Sequence, residues 1–381
     1  MKTRIPKTLA LVFTAALACA AVFPASARAA IFEPGRITAE AEQYTIDDRN
    51  DIFRLSLTPV LVHGNLTAAI GVHMMIDADF RLHDNGNDFL VLEQLVWNRD
   101  RLKIEYGDIE GLTLGRGFVV NNYYSNTVNN VPDNETKGIR FETWSDRSNI
   151  TLFSTLSHLS GGRAERRMGD VALGATFAVD SDPDVEIMGL DAKVNIIPNS
   201  WTVYGEYAEI VDAGNGVTVG TAVTPLPKAL DLTLVGEWRK FDADFQPGLI
   251  DSHYEAKGAT PAVSATNPAG KVEGFYLAAD YYVSSKNNLK IFYEDYENAR
   301  ARAGLIASAA LADRVALHAF YAQENFVPSG NIRREDSVIL ADLTVALTQN
   351  LDLLFDYYRA FDDQRQPLES FGTRVKFHLK R

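Results

Sequence analysis

Cysteine is almost missing from this chain. Cys19 is the single one among 381 residues. It falls in an N-terminal stretch that reads as an export signal, so the mature chain carries no thiol, no disulfide and no thiolate metal site. Long apolar runs are missing as well. Although 46% of the chain is hydrophobic, no stretch after residue 30 reaches the ~18 uninterrupted apolar residues of a membrane helix. Positive charge is in deficit: 37 Lys and Arg face 50 Asp and Glu, a formal net charge of −13. That sign argues against nucleic-acid binding. Enzyme signatures are absent too. There is no Gly-x-Ser-x-Gly elbow, no His-Glu-x-x-His helix and no phosphate-binding loop ending in Gly-Lys-Ser/Thr. His63, His73, His83, His158, His253, His318 and His378 are scattered, with no pair at ligand spacing. No catalytic, cofactor-binding or metal-ligating residue is therefore expected.

What is present begins with the export signal. Lys2, Arg4 and Lys7 precede an apolar, Ala-rich run over Leu9–Phe23. Ala25-Ser26-Ala27 and Ala27-Arg28-Ala29 offer small-x-small cleavage sites. The expected cut follows Ala29, leaving 30–381 as one domain. Ala16-Leu17-Ala18-Cys19 has the look of a lipoprotein box, but the apolar run continues past Cys19 and better sites follow. Losing Lys2, Arg4, Lys7 and Arg28 takes the formal net charge from −13 to −17. An exported chain without cysteine or membrane helix is either soluble outside the cytoplasm or a membrane β-barrel.

Alternation favours the barrel. Trp201, Val203, Gly205 and Tyr207 alternate with Thr202, Tyr204, Glu206 and Ala208. Phe275, Leu277, Ala279, Tyr281 and Val283 alternate with Gly274, Tyr276, Ala278, Asp280 and Tyr282. Segments at 230–239, 289–294, 314–321, 339–347 and 351–358 behave alike. A period of two is a strand period, with successive side chains on opposite faces. Segments of about ten residues suit tilted strands crossing a hydrocarbon layer, whereas soluble strands average about five or six. Aromatics such as Trp201, Trp238 and Tyr357 gather at segment ends, as in interfacial girdles. Arg36–Tyr44 and Ile52–Val62 are expected as the first strands, with Pro59 awkward inside the second.

The last segment is the most specific. Phe371, Thr373, Val375, Phe377 and Leu379 share one parity, and Gly372, Arg374, Lys376 and His378 the other. Ser370, Gly372, Val375 and Phe377 resemble the carboxy-terminal assembly signal of bacterial outer-membrane β-barrels, although four residues follow Phe377. The resemblance implies an all-β, transmembrane, antiparallel up-and-down barrel of porin-like type in the outer membrane of a Gram-negative-type bacterium. It also implies barrel-assembly machinery, lipid and lipopolysaccharide as partners, and allows a homotrimer. We expect 16–18 strands, tight periplasmic turns and longer extracellular loops. Tight turns are expected at His63–Asn65, Asn98–Asp100, Ser145–Ser148, Pro198–Asn199, Ser285–Asn287 and Thr348–Asn350. Long loops are expected at Gly107–Lys137, His158–Asp170, Asp242–Gly270 and Asn325–Asp336. The in-out alternation fails somewhere between residues 146 and 200, so one segment is misplaced. Gly111–Val120 is the first suspect, as a lumenal or loop segment.

With the apolar parity facing lipid, the opposite parity lines a lumen: Asp191, Lys193, Glu206, Asp231, Glu237, Arg239, Asp280, Lys290, Glu294, Arg302, Arg314, Glu324, Asp342, Asp352, Asp356, Arg374 and Lys376. Charges of both signs suit a water-filled channel for passive diffusion of small hydrophilic solutes or ions. They equally suit a salt-bridged, filled barrel serving as anchor or adhesin. Asn121–Asn134 reads as a solvated loop in preference to a constriction. Arg163, Arg166 and Arg167 read as a loop patch, within reach of lipopolysaccharide phosphates if that loop lies outside. A barrel enzyme with catalytic groups drawn from separate strands is the third reading, with His158 and His318 as its test positions.

Overall fold

The computed structural model describes residues 33–46, 50–76, 90–125, 136–182, 184–226, 231–242, 244–245, 247–251, 254, 271–284, 286–297, 301–311, 314–323, 326, 337–361 and 367–379. The segment 1–29 expected as an export signal, Glu324, most of Asp242–Gly270 and nearly all of Asn325–Asp336 lie outside them.

The alternating segments become long strands. In chain order they are β1 (Glu33–Ile46), β2 (Asn50–His63), β3 (Leu66–Ile76), β4 (Leu90–Arg99), β5 (Leu102–Gly107), β6 (Leu112–Leu114), β7 (Val120–Tyr123) and β8 (Gly138–Trp144). Then come β9 (Ser148–Thr155), β10 (Leu159–Met168), β11 (Val171–Asp180), β12 (Val185–Ile197), β13 (Trp201–Ile210), β14 (Gly214–Val223), β15 (Asp231–Phe241) and β16 (Ile250–Asp251). The last are β17 (Val272–Ser284), β18 (Asn287–Tyr296), β19 (Arg302–Leu311), β20 (Val315–Gln323), β21 (Ser337–Thr348), β22 (Leu351–Phe361) and β23 (Pro367–Leu379). All except β6, β7 and β16 form one 20-stranded antiparallel sheet. Its two ends meet: β23 pairs with β1 from Ile37↔Leu379 to Tyr44↔Gly372. The sheet is a closed up-and-down barrel without a free edge, as hydrocarbon demands.

Among the described residues the barrel has twenty strands, above the expected 16–18. The stretch expected as a loop over His158–Asp170 is β10, and this strand removes the conflict in the alternation. Its sequence hides it. Gly162, Ala164 and Arg166 occupy the outward parity, so no apolar stripe marks the strand. Instead Leu152 on β9 and Phe177 on β11 lean over Gly162 from either side. This is a neighbour's cover for a missing side chain.

With β10 counted, the tight turns share one end of the barrel with the start of β1 and the end of β23; we call this the turn end. Gly64 (φ 55), Asp100 (φ 32) and Asn199 (φ 61) supply the left-handed backbone that two-residue hairpins need. The connections after β3, β5, β15 and β20 leave from the opposite, loop end. Pro59 is accommodated by a gap in the ladder: β2 pairs with β3 at Leu57↔Val72 and next at Val60↔Ala69.

The outward parity is apolar and uncovered. Leu190 is 62% exposed and Leu277 52%, and Leu173, Met188, Val219 and Ile291 are exposed as well. In water such a belt would be costly; against lipid it is the required surface. Trp144 and Trp201 are exposed near the turn end, and Phe275 near the loop end, where interfacial aromatics belong. Replacing Leu190 with Arg should cost about 2–4 kcal/mol if it sits near the bilayer midplane. Urea titration of the barrel folded into vesicles measures this, and no loss of stability would show that the position faces water.

Candidate functional site

Two loops fold into the bore. Beyond Gly107 (φ 140) the chain turns inward, and Gly111 (φ 61), Gly115 (φ 66) and Gly117 (φ 84) carry it through left-handed bends. Between them Leu112 and Leu114 alternate as β6, which pairs with β7. The loop after β15 adds β16, parallel to β7 at Ile250↔Val120, and the Gly248 amide donates to the Phe118 carbonyl at 2.9 Å. This three-stranded unit has its own core. Leu112, Leu114, Phe118, Val120, Tyr123, Phe245 and Ile250 pack on Phe153, Leu159, Ala178, Ile187, Ala208 and Ile210 of the wall. Burying one large apolar side chain stabilises by roughly 1.5–3 kcal/mol, so several hold the loops firmly. The wall makes room with small residues; a Cβ on Gly189 would stand 3.0 Å from Val119.

The solvated reading of Asn121–Asn134 is therefore corrected as far as Ser125, since Tyr123 and Ser125 are fully buried; residues 126–134 lie outside the described residues. Gly111–Val120 is lumenal. The signal for this was the apolar content of Leu112, Leu114 and Phe118–Val120 inside an otherwise polar stretch.

Polar anchors fix the loop base. The Ser125 amide donates to the Ile109 carbonyl at 2.9 Å, and the Ile109 amide to Ser125 Oγ at 3.0 Å. Lys137 Nζ donates to Glu93 Oε2 at 2.7 Å and to Asp108 Oδ1 at 2.9 Å. Glu93 also meets His73 Nε2, whose Nδ1 lies 2.7 Å from Ser56 Oγ. Glu93 is there because of a bulge. The register jumps from Ala69↔Gln94 to Ile70↔Leu92, leaving Glu93 the extra residue, and a bulge re-aims a side chain. Beyond the anchors, burial pushes the Glu110 carboxyl up, with Asp108 and Glu105 adding to it. Burial also pushes the Tyr124 phenol up, followed by the charges of Glu110 and of Asp342 on β21. The loop thus reaches into the field of the far wall.

The inward parity carries paired charges. Arg163 pairs with Asp191 and, at 3.0 Å, with Glu165, which also meets Lys193 at 2.9 Å. Arg239 meets Glu237 at 2.6 Å and Glu294 at 3.5 Å, and its guanidinium lies 4.2 Å from the Tyr276 ring centre. Glu294 also meets Arg302 at 3.3 Å. Arg374 grips Asp356 through two hydrogen bonds of 2.8 and 2.7 Å. Asp280 and Lys290 stand 3.9 Å apart, and His318 and Asp342 3.8 Å. Asp352 is opposite Lys376 in register. Glu206 is buried beneath the loop and accepts from the Arg116 amide at 3.3 Å. Asp231 is exposed at the first position of β15, and Arg314 is exposed in the turn before β20, at the rim. The supposed loop patch is a correction: Arg163 sits on the inner wall, Arg167 shares its parity, and Arg166 points the other way. Gly372, Val375 and Phe377 lie on β23, opposite Tyr44, Ala41 and Ala39 of β1. His158 Nδ1 lies 3.0 Å from Asp180 Oδ1.

The two walls differ. The loop unit packs against β9–β15. On β17–β21 the inward parity is mixed: Ala278, Phe292, Phe320 and Ala322 form a buried cluster, while Lys290 is 36% exposed, His318 44% and Asp342 41%. A cavity of about 230 Å³ opens on the turn-end side of the loop, lined by Gly115, Arg116, Arg163, Glu165, Arg167, Asp191, Lys193, Asn195 and Thr202.

No protein-family model and no curated protein matches the chain. Solved structures similar in course include two from Pseudomonas aeruginosa, OccK10 (OpdN) and OccK3 (OpdO). The first is 8% identical with a TM-score of 0.41, and 91% of this chain covers 98% of it. The second is 9% identical with a TM-score of 0.44, covering 91% and 95%. The ferric-catecholate import receptor Fiu from E. coli K12 is 12% identical with a TM-score of 0.42, covering 91% and 81%. Likenesses this distant carry no weight beside the strand register, on which the closed barrel rests.

Glu93→Gln should free the loop base, since a hydrogen bond to a charged group contributes about 1.5–3 kcal/mol. Hydrogen exchange of the Leu112, Val120 and Tyr123 amides should quicken roughly tenfold or more. Unchanged exchange would mean that the apolar core alone holds the loop.

Proposed function

We propose that this chain is an outer-membrane channel for passive passage of small hydrophilic solutes or ions. The single observation behind the reading is that, among the described residues, the inward charged side chains Lys290, His318 and Asp342 keep contact with solvent beside the folded-in loops. A barrel of about 16–18 strands already leaves an aqueous channel, and a 22-stranded one holds a plug. Twenty strands with a partial plug fall between these cases. The folded-in loop is then the constriction. Passage is set by its width and by the field of Asp280, Lys290, Asp342 and Arg374 opposite it. Export by a cleaved N-terminal signal brings the chain to the outer membrane. The apolar belt meets lipid and lipopolysaccharide, and the β23 motif is read by the assembly machinery. On this reading the protein performs no bond-breaking chemistry.

The rival is a barrel sealed by its loops and used as a surface anchor. Planar-bilayer recording of the purified protein separates the two. Discrete ohmic steps are expected, and replacing residues 111–123 with a short Gly-Ser linker should raise the step size several-fold. A refolded barrel that stays silent with and without the loop refutes the channel.

A further inference from the structure

The cavity on the turn-end side of the loop is not neutral. Of its six charged side chains, four are occupied with one another: Arg163 with Asp191 and Glu165, and Lys193 with Glu165. Arg116 and Arg167 remain. Among the described residues neither guanidinium has a carboxylate at ion-pair distance. Arg116 instead lies over the Tyr204 ring, 4.0 Å from its centre. Stacking of this kind fixes a guanidinium's plane and leaves its N–H edge free for a ligand. Glu206 stands behind Gly115, outside the lining, and takes the Arg116 amide. Counting its charge, the site still keeps a positive excess. Among the neutral lining groups, Thr202 Oγ1 donates to Asn195 Oδ1 at 2.9 Å.

We infer that this cavity is a binding site for a small oxyanion, held between Arg116 on the folded-in loop and Arg167 at the turn-end edge of β10. Arginine forks match the geometry of phosphate, sulfate and carboxylate oxygens. About 230 Å³ accommodates one such ion with several waters, at roughly 30 Å³ per water. The site couples ligand to constriction: Arg116 belongs to the same loop as Gly115 and Gly117, so an ion bridging it to β10 ties the loop tip to the wall. This goes beyond the channel reading and does not need it, because binding at a wall requires no open bore.

Inorganic phosphate is the test ligand, followed by equilibrium dialysis on the refolded full-length barrel in detergent, with heat-modified gel mobility as the folding check. Saturable binding of one phosphate per chain is expected. It should weaken by about tenfold or more in Arg116→Gln and in Arg167→Gln, as loss of a charge-assisted hydrogen bond predicts. Arg166→Gln, on the opposite face of the same strand, should bind as the parent does. Arg167 is exposed at a strand end, so its variant folds even if Arg116→Gln disturbs the loop. Three outcomes overturn the site: no saturable binding, equal binding in all variants, or full displacement of phosphate by an equal concentration of chloride. Bilayer silence together with retained phosphate binding would reject the channel and keep the site.

Discussion

The pairing of β23 with β1 is the constraint from which the remaining structure follows. Eight register pairs join the two ends of the 20-stranded sheet. Without them two strands would present unpaired backbone groups, each costing several kcal/mol in hydrocarbon. Closure also separates two environments. One parity of every strand is left to an apolar exterior and the other is confined inside a cylinder. Paired charges can persist there because water reaches them on one side and partners face them on the other.

That confinement explains the loops. A 20-stranded ring is wide, and side chains from its wall cannot meet across it. The chain narrows the bore by folding backbone into it. Backbone inside a barrel needs hydrogen-bonding partners, and β6, β7 and β16 supply them to one another. It needs apolar cover too, which Phe118, Phe245 and Tyr123 provide against Phe153, Ile187 and Ala208. The bulge at Glu93 gives the loop an ionic foothold at its base. The result is a bore narrowed from the β9–β15 side, with charged groups on both walls and a second apolar cluster at Phe292 and Phe320.

Alternation was legible wherever lipid enforces it. β13, β17 and β18 were readable from single residues because their outward positions are consistently apolar. β10 was not, because Gly162, Ala164 and Arg166 break the rule and neighbours provide the cover. The missing strand shifted the in-out assignment of everything around it and lowered the strand count. The inward loop was half legible: Leu112, Leu114 and Phe118–Val120 are too apolar for a solvated loop, but their partners are spread over β9–β13 and the loop after β15.

By itself the sequence determined a strand-rich chain with a greasy and a charged parity, because those properties are written in neighbouring residues. Only the tertiary structure decided which charges meet, such as Arg163 with Asp191 or Arg374 with Asp356, and which guanidiniums are left over. Those outcomes depend on strand register, which brings Arg374 beside Asp356 and Arg163 near Asp191, and on a loop folded into the bore. Neither has a local signature, since register and loop placement are fixed by pairing between separate strands.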